Sequence, residues 1–599
     1  MTKMVRIGGA CGFYGDSPTA PKQLLAAGVD YLMLDYLAEA TMSVLGRMRD
    51  HRDTLGYALD FTEWVWKENL REIKRTGTKI VTNAGGLNPH GCAERLRKLA
   101  EAEGLTFRIA VVDGDEMMAR LDEIAGDTEM FTGAPFPPRE KIRTANTYLG
   151  ATPIARALAM GADVVVTGRV VDSALTLGPL IHEFGWREDE YDKLSAGSLC
   201  GHVLECGAQG SGALFTDWED VEDWAHIGYP IAECAADGSF VVTKPEGTGG
   251  LVSPAVVAEQ ILYEVGDPQA YMLPDVVCDF TQVKVESAGY QRVRVTGAKG
   301  YAPSGRYKIS ITWADGERIM GFMPVVGRDA ARKAQRQAEA ILTRLDDLLR
   351  ERNLAPFRKK QVEVLGAESS YGANARPAAR DTREVVYKIG VEHDDPMAFK
   401  LFSREFDSPN TSMSVGTTGW FGARPHVTPV MRVFSTTIDR AAVPATVTLD
   451  DRTETVAPAA PARPFDKSMI VRPVGVAAEA PAGETKEVPL ITLAWARSGD
   501  KGDAFNIGVI ARKPEYLPWI KAALTEPAML AYFAHEFVGA ANPGLKLYDL
   551  PGMNAINLHL NDALDGGQFA TMRLDGLAKG KAQQLLDYPV AVPVGAVAG

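Results

Sequence analysis

Val164-Val165-Val166-Thr167-Gly168-Arg169-Val170-Val171-Asp172-Ser173 is the stretch on which the reading of the fold turns. Three valines and a threonine in a row make a short strand with no polar face, the pattern of a parallel strand covered by helices on both sides. The strand then stops at a glycine and delivers Arg169 and Asp172. Charged groups at the C-terminal end of such a strand stand where open α/β sheets bind their ligands. Arg169 is therefore a candidate to hold a carboxylate or phosphate through paired hydrogen bonds, and Asp172 a candidate to move a proton. A plain ion pair between the two fits the same spacing.

The same alternation extends in both directions. Strands are expected over 5–7, 31–34, 79–82 and 108–112, and helices over 21–28, 61–75, 92–102 and 154–160, which is the βαβ signature of a parallel-sheet α/β domain. That domain is expected to run over residues 1–300, its glycine-dense part between 200 and 280 forming loops that line the site. From 306 the pattern changes to a hairpin (306–312 and 318–323), a charged helix over 328–352, strands over 361–365 and 385–391 and a helix over 396–406, an α+β unit assigned to 301–455. Residues 456–488 are rich in Ala and Pro and lack periodicity, so they read as a semi-extended tether. Beyond it, 489–599 forms a C-terminal α+β domain with strands over 490–496, 507–511, 545–550 and 555–560.

Composition limits the function classes. With 46% apolar and 24% charged residues in 599, the chain has the make-up of globular domains. A net charge of −13 from 64 basic and 77 acidic residues opposes binding to nucleic acid or anionic lipid. No apolar run approaches the ~18 residues of a membrane helix, and the first twenty residues do not have the make-up of a signal peptide. Six cysteines without CxxC spacing point to neither disulfides nor a zinc site. A cytoplasmic location, no metal and self-association are the resulting expectations.

Several glycine-rich segments carry groups fit for chemistry. After the first strand, Gly8-Gly9-Ala10-Cys11-Gly12-Phe13-Tyr14-Gly15-Asp16 resembles a dinucleotide loop, but the GxGxxG frame ending at Gly12 and Gly15 begins with Ala10. Gly12 and Gly15 are retained as ligand-binding positions, with Asp16 as an acid–base candidate or a helix cap. Asn83, at the end of the strand 79–82, is a further ligand-binding candidate. His90, between a strand and a helix, is a second proton-transfer candidate. Cys206 reads as an inert buried thiol, and Gly249 lies in a loop that lacks the Gly-Lys-Ser/Thr ending of an ATP site. Asn410 and the segment 416–422, with Trp420 and Phe421, suit a small polar ligand or an ordinary turn. Finally, Arg497-Ser498-Gly499-Asp500-Lys501-Gly502-Asp503-Ala504-Phe505-Asn506 reads as a charged loop. Arg497, Asp500, Lys501, Asp503 and Asn506 are its substrate-binding candidates, and docking onto the core is the other use for such a turn.

Together these segments resemble the acyclic terpene utilisation family, AtuA. The resemblance is carried by Gly8–Asp16 with residues 32–42 (LMLDYLAEATM), residues 82–91 (TNAGGLNPHG), 161–177 (GADVVVTGRVVDSALTL), 247–252 (GTGGLV) and the ARSGDKGD run with its following Asn506 and Gly508. It implies a ferredoxin-fold C-terminal domain and a place in the breakdown of citronellol or geraniol, whose skeletons travel as branched acyl-CoA thioesters. It supplies no catalytic residues. The expected activity is acid–base chemistry, a hydration, dehydration or C–C cleavage, on a branched acyl-CoA or its acid. Coenzyme A would enter as part of the substrate and no separate cofactor is expected. Two other readings stand: a non-catalytic subunit of an acyl-CoA carboxylase or hydratase complex, and an NAD(P)-dependent oxidoreductase.

Overall fold

The computed structural model describes residues 3–419 and 421–597. Its centre is a mixed sheet of eleven strands. In the middle, Met4–Cys11, Tyr31–Leu34, Lys79–Thr82, Val164–Thr167 and Ile109–Asp113 lie side by side in that order, all parallel. The valine run explains itself in this frame. Val165 falls into one core with Ile7, Met33 and Val81, while Val164 and Val166 fall into another with Leu32, Leu34 and Ile80. Each such side chain, removed from water on its own face of the sheet, stabilises the fold by about 1.5–3 kcal/mol.

Antiparallel strands extend the sheet at both edges. On one side are Ile231–Ala235, Phe240–Thr243, Arg292–Thr296 and Lys284–Gly289. Residues 200–280 are thus more regular than their glycine content suggests, containing this hairpin and the helix Pro254–Leu262, capped by Ser253. Strands of four or five residues between glycines are too short to show a period. On the other side, Ala445–Leu449 and Arg452–Val456 return to pair beside Ile109–Asp113.

A second sheet is built on Arg306–Val326, flanked by Glu384–His393 and Val427–Asp439, with Lys359–Leu365 at one edge and Ile142–Thr147 also pairing on the long strand. The expected hairpin here is one continuous strand. Asp315-Gly316 has the composition of a turn, but Val427–Asp439 pairs on both sides of it, so the dipeptide forms a bulge with Gly316 at φ +80°.

Residues 457–484 form no strand but lie against the body as a strap. Phe465 packs on Tyr301 with ring centroids 5.4 Å apart, and Arg472 makes two 2.6 Å bonds to Asp267. The C-terminal domain is a four-stranded antiparallel ferredoxin-like sheet, ordered Ala494–Lys501, Ala504–Ala511, Ala555–Asn561 and Gly544–Leu550. The expected charged loop is here the end of a hairpin, with its strands paired up to Lys501 and Ala504. Alternation decides what each residue does. Ala494, Ala496, Phe505, Ile507 and Val509 fill the domain's own core, while Arg497, Gly499, Asn506 and Gly508 meet the residues of the core domain around Pro254–Leu262.

Candidate functional site

Three parallel strands end at one place. Asp35, Asn83 and Arg169 follow Tyr31–Leu34, Lys79–Thr82 and Val164–Thr167. The Asn83 amide donates to Asp35 Oδ1 at 2.6 Å while its oxygen accepts from the Tyr36 N–H at 2.8 Å. Burial, with Asp172 next in weight, pushes the Asp35 carboxyl well above the usual range. Arg169 Nη1 donates to the Leu37 carbonyl and to Asp172 Oδ1, both at 2.7 Å, and its guanidinium lies 4.2 Å from the Tyr148 ring. Burial opposes the charge of Arg169, but Asp172, Tyr148 and Glu39 outweigh it and hold the group firmly protonated. Tyr148 donates to Glu39 at 2.7 Å, and Lys308, from the long strand of the second sheet, stands 3.7 Å from the same oxygen. Against the cost of burial, Lys308, Arg169 and the Tyr148 hydroxyl hold Glu39 down at about 2.

The facing wall comes from both domains. His202, 2% exposed, contacts Glu205 Oε1 at 3.0 Å through Nδ1. Glu264 follows the helix Pro254–Leu262 with φ +59°. Lys501, at the hairpin end, approaches Glu264 to 3.9 Å with 54% of its side chain open to solvent, and Lys579 reaches the other oxygen at 3.4 Å with 34% open. These groups set one another's charge. Burial raises Glu264 to about 7, Lys501 opposing and Glu205 adding to the rise. Burial and Glu264 raise Asp500 to about 8. Asp172 is raised by burial and by Glu205 while Arg169 and Lys501 pull it down. Although 54% of its side chain meets solvent, crowding by both domains disfavours the charge of Lys501, and Tyr271, Glu264, Asp172 and Glu205 outweigh that and keep it charged. The partly exposed side chains of Asp172, Glu264, Lys501 and Lys579 thus line a cleft where the two domains meet.

The motif that carries Lys501 also docks its domain. Arg497 donates to the Leu214 carbonyl at 2.9 Å and to Gln209 at 2.5 Å, with its guanidinium 4.8 Å from the Tyr263 ring. Ser498 accepts from Ala582 N and donates to the Ala578 carbonyl. A Cβ on Gly499 would stand 2.4 Å from the Tyr263 ring and 2.6 Å from Glu264, and one on Gly508 would stand 2.4 Å from Leu262. Asn506 donates to the Leu262 carbonyl and to Asn557, which in turn donates to the carbonyls of Val265 and Gly266. Asp503 accepts from the N–H groups of Leu564 and Gly566 within its own domain.

Of the residues singled out from sequence, Asp172, Arg169, Asn83, Asp500 and Lys501 come together in or beside this cleft, with Arg497 and Asn506 holding its walls. The others lie in local structure. Asp16 accepts from Gly12 N, Ser17 N and the Tyr229 hydroxyl, so the N–H group a pyrophosphate would use is already paired. A Cβ on Gly12 would meet the Cys206 backbone at 2.8 Å, and Gly15 turns the chain at φ +105°. His90 contacts Asp113 at 3.3 Å at the rim of a separate polar pocket of about 130 Å³ that also includes Asp115 and Asn146. Gly249 packs tightly on the Asp223 carbonyl. Asn410 donates to the Asp407 carbonyl in its own turn, and Trp420 lies outside the described residues. Cys206 is pushed well up by burial and by Glu205. Lys308, Glu264 and Lys579 escape a reading of the sequence because each is a single charged residue outside any motif, and Glu39, though within the segment 32–42, has nothing in that segment to set it apart.

Among the described residues no helix is long and apolar enough to cross a membrane, and no group of three or more His, Cys, Asp or Glu is placed to hold a metal ion. No curated protein and no solved structure matches the chain. Two family models do: "Acyclic terpene utilisation family protein AtuA" over residues 5–449, and "AtuA ferredoxin-like domain" over residues 488–591. The first spans Asp35, Asn83, Arg169, Asp172, His202, Glu205 and Glu264, and the second spans the hairpin with Lys501 and the later Lys579, both of which meet Glu264. The chain therefore belongs to the acyclic terpene utilisation family AtuA and carries that family's ferredoxin-like domain at its C-terminal side.

Proposed function

We propose that this protein is a catabolic enzyme that moves protons on a branched acyl-CoA or its free acid, in a hydration, dehydration or C–C cleavage of acyclic terpene breakdown. One observation carries the reading: Lys501 and Glu264, from different domains, stand 3.9 Å apart near the Arg169–Asp172 ion pair, with Glu264 raised by burial to about 7 and Asp500 to about 8. A group that titrates near the working pH can both give and take a proton, which contributes typically ~10²–10⁴-fold to rate. Fixed cations nearby suit a substrate carboxylate or the negative charge that develops on a thioester oxygen. Coenzyme A would enter as part of the substrate.

The test is turnover by the purified chain against a panel of branched acyl-CoA thioesters and the matching acids, with products read by mass spectrometry. Conversion of at least one, lost in Lys501→Met and Asp172→Asn, is expected. Neither turnover nor binding of any member of the panel would sink the reading. A second reading, as a binding or assembly subunit, rests on the exposed edge-to-face pair Trp218 and Trp224, which brackets Glu219, Asp220 and Glu222. Recovery of a stable complex with an acyl-CoA carboxylase or hydratase, and no ligand on the chain alone, would favour it.

A further inference from the structure

We propose that Lys579 and Glu264 form the proton-transfer pair of the cleft, with Lys579 as the base and Glu264 as the group that relays its proton. The proposal rests on the acyl-substrate reading above and names the atoms that would do its chemistry.

The two side chains come from different domains and meet at 3.4 Å. Among the described residues Glu264 is the one hydrogen-bond partner of the Lys579 amine. Strained backbone lies at or next to both. Glu264 at φ +59° and Ala578, just before Lys579, at φ +54° occupy the left-handed region that non-glycine residues seldom adopt. Such conformations cost on the order of 1–3 kcal/mol each and persist only where the surroundings hold them. Here they are held by buried polar side chains. Asn506 and Asn557 bind the carbonyls of Leu262, Val265 and Gly266 around Glu264. Ser498 binds the Ala578 carbonyl, and Asp575 accepts from the N–H groups of Lys579 and Gly580. Gly499, lacking a Cβ, leaves the room that Tyr263 and Glu264 occupy.

The surroundings bring the two proton affinities together. The amine lies 4.2 Å from the Tyr263 ring, and burial lowers it to about 8. Glu264, raised to about 7, faces Lys501, Glu205, His202 and Asp172, and Asp500 feels its charge. An amine and a carboxyl so closely matched share one proton near neutral pH, as a base that must be regenerated each cycle requires. In the step proposed, the neutral amine takes a proton from the carbon next to the thioester or carboxyl carbonyl. The C–H bond breaks, an N–H bond forms, and the electron pair stays on the substrate as an enolate whose charge the Lys501 ammonium balances. Glu264 holds the pair's shared proton while the amine is neutral, so the new ammonium returns its proton to the substrate, or Glu264 gives its own proton to water and then takes the one on Lys579.

Competitive acetylation of the intact protein with trace acetic anhydride between pH 6 and 10, read by mass spectrometry peptide by peptide, tests the pair without any assay of activity. Lys579 should reach half-reactivity near pH 8, below the ~10.4 of ordinary lysines. In Glu264→Gln its midpoint should fall further, because the neighbouring negative charge is gone. Titration of Lys579 with the bulk of the lysines, or a midpoint indifferent to Glu264→Gln, overturns the proposal. If that variant does not fold, the wild-type midpoint alone decides. On any thioester the protein turns over, Lys579→Met and Lys579→Arg should each lose ~100-fold or more in kcat with KM within a few-fold. Retained kcat in either variant overturns the catalytic role. Labelling as expected in a protein that turns over nothing supports the pair and counts against the acyl substrate instead.

Discussion

Two glycine-rich segments of this chain look alike and behave differently. Gly8–Asp16 and Arg497–Gly508 each follow or include a strand, and each mixes glycine with an acid. The first closes on its own side of the molecule, Asp16 spending its oxygens on Gly12, Ser17 and Tyr229. The second crosses a domain boundary: Arg497 and Asn506 grip the core domain, Gly499 and Gly508 let the backbone come close, and Lys501 is left open in the cleft. A glycine-rich loop is thus read less by its composition than by whether its polar atoms are satisfied within its own domain or across a domain boundary.

The largest expected effect tests the second segment. Lys501→Met should reduce turnover of an acyl-CoA substrate by ~100-fold or more while the melting temperature moves little, since an exposed side chain away from the packed core contributes within ~0.5 kcal/mol to stability. A variant with full activity would erase the contrast between the two loops.

The next concerns what supports it. Glu259, 1% exposed, accepts from Thr216 N at 3.3 Å, and the Thr216 hydroxyl donates to the Ala496 carbonyl. Burial raises Glu259 to about 8, so between the unfolded carboxyl value, about 4.3, and that pH the folded state binds the extra proton. Stability from this group is full below the unfolded value and is lost as pH rises toward 8. Glu259→Gln should therefore gain on wild type as pH rises through that window, by at most about 1.4 kcal/mol per pH unit, in urea unfolding at a series of pH values.

Smaller losses should follow from the close approach itself. Gly499→Ala puts a methyl 2.4 Å from the Tyr263 ring and should destabilise by about 1–3 kcal/mol. Smallest of all, Asp16→Asn keeps an acceptor and should cost about 1 kcal/mol with kcat and KM unchanged. A drop in kcat there would restore the first loop to a place in the chemistry.

The sequence makes the central strands legible because a strand buried on both faces has no choice but to be apolar, as Val164–Val166 and Leu32–Leu34 are. It also makes legible the charges at strand ends, Arg169 and Asp172, since the sheet's direction fixes where they stand. Glu264 and Lys579 are not legible. They are separated by 315 positions and meet only because one domain docks on another. Nor is the bulge at Asp315-Gly316, where pairing with Val427–Asp439 on both sides overrides a local preference to turn. What escapes is what tertiary contact decides.

Gly499 and Gly508 have a consequence for inheritance. A Cβ at either would meet the end of the helix Pro254–Leu262 or the residues just after it, so bulk gained on one side has no room unless it is lost on the other. The two family domains, separated in sequence by the strap at 457–484, are therefore not free to drift apart: for natural selection they form one unit, and exchange of one between distant relatives would require the matching helix end to travel with it.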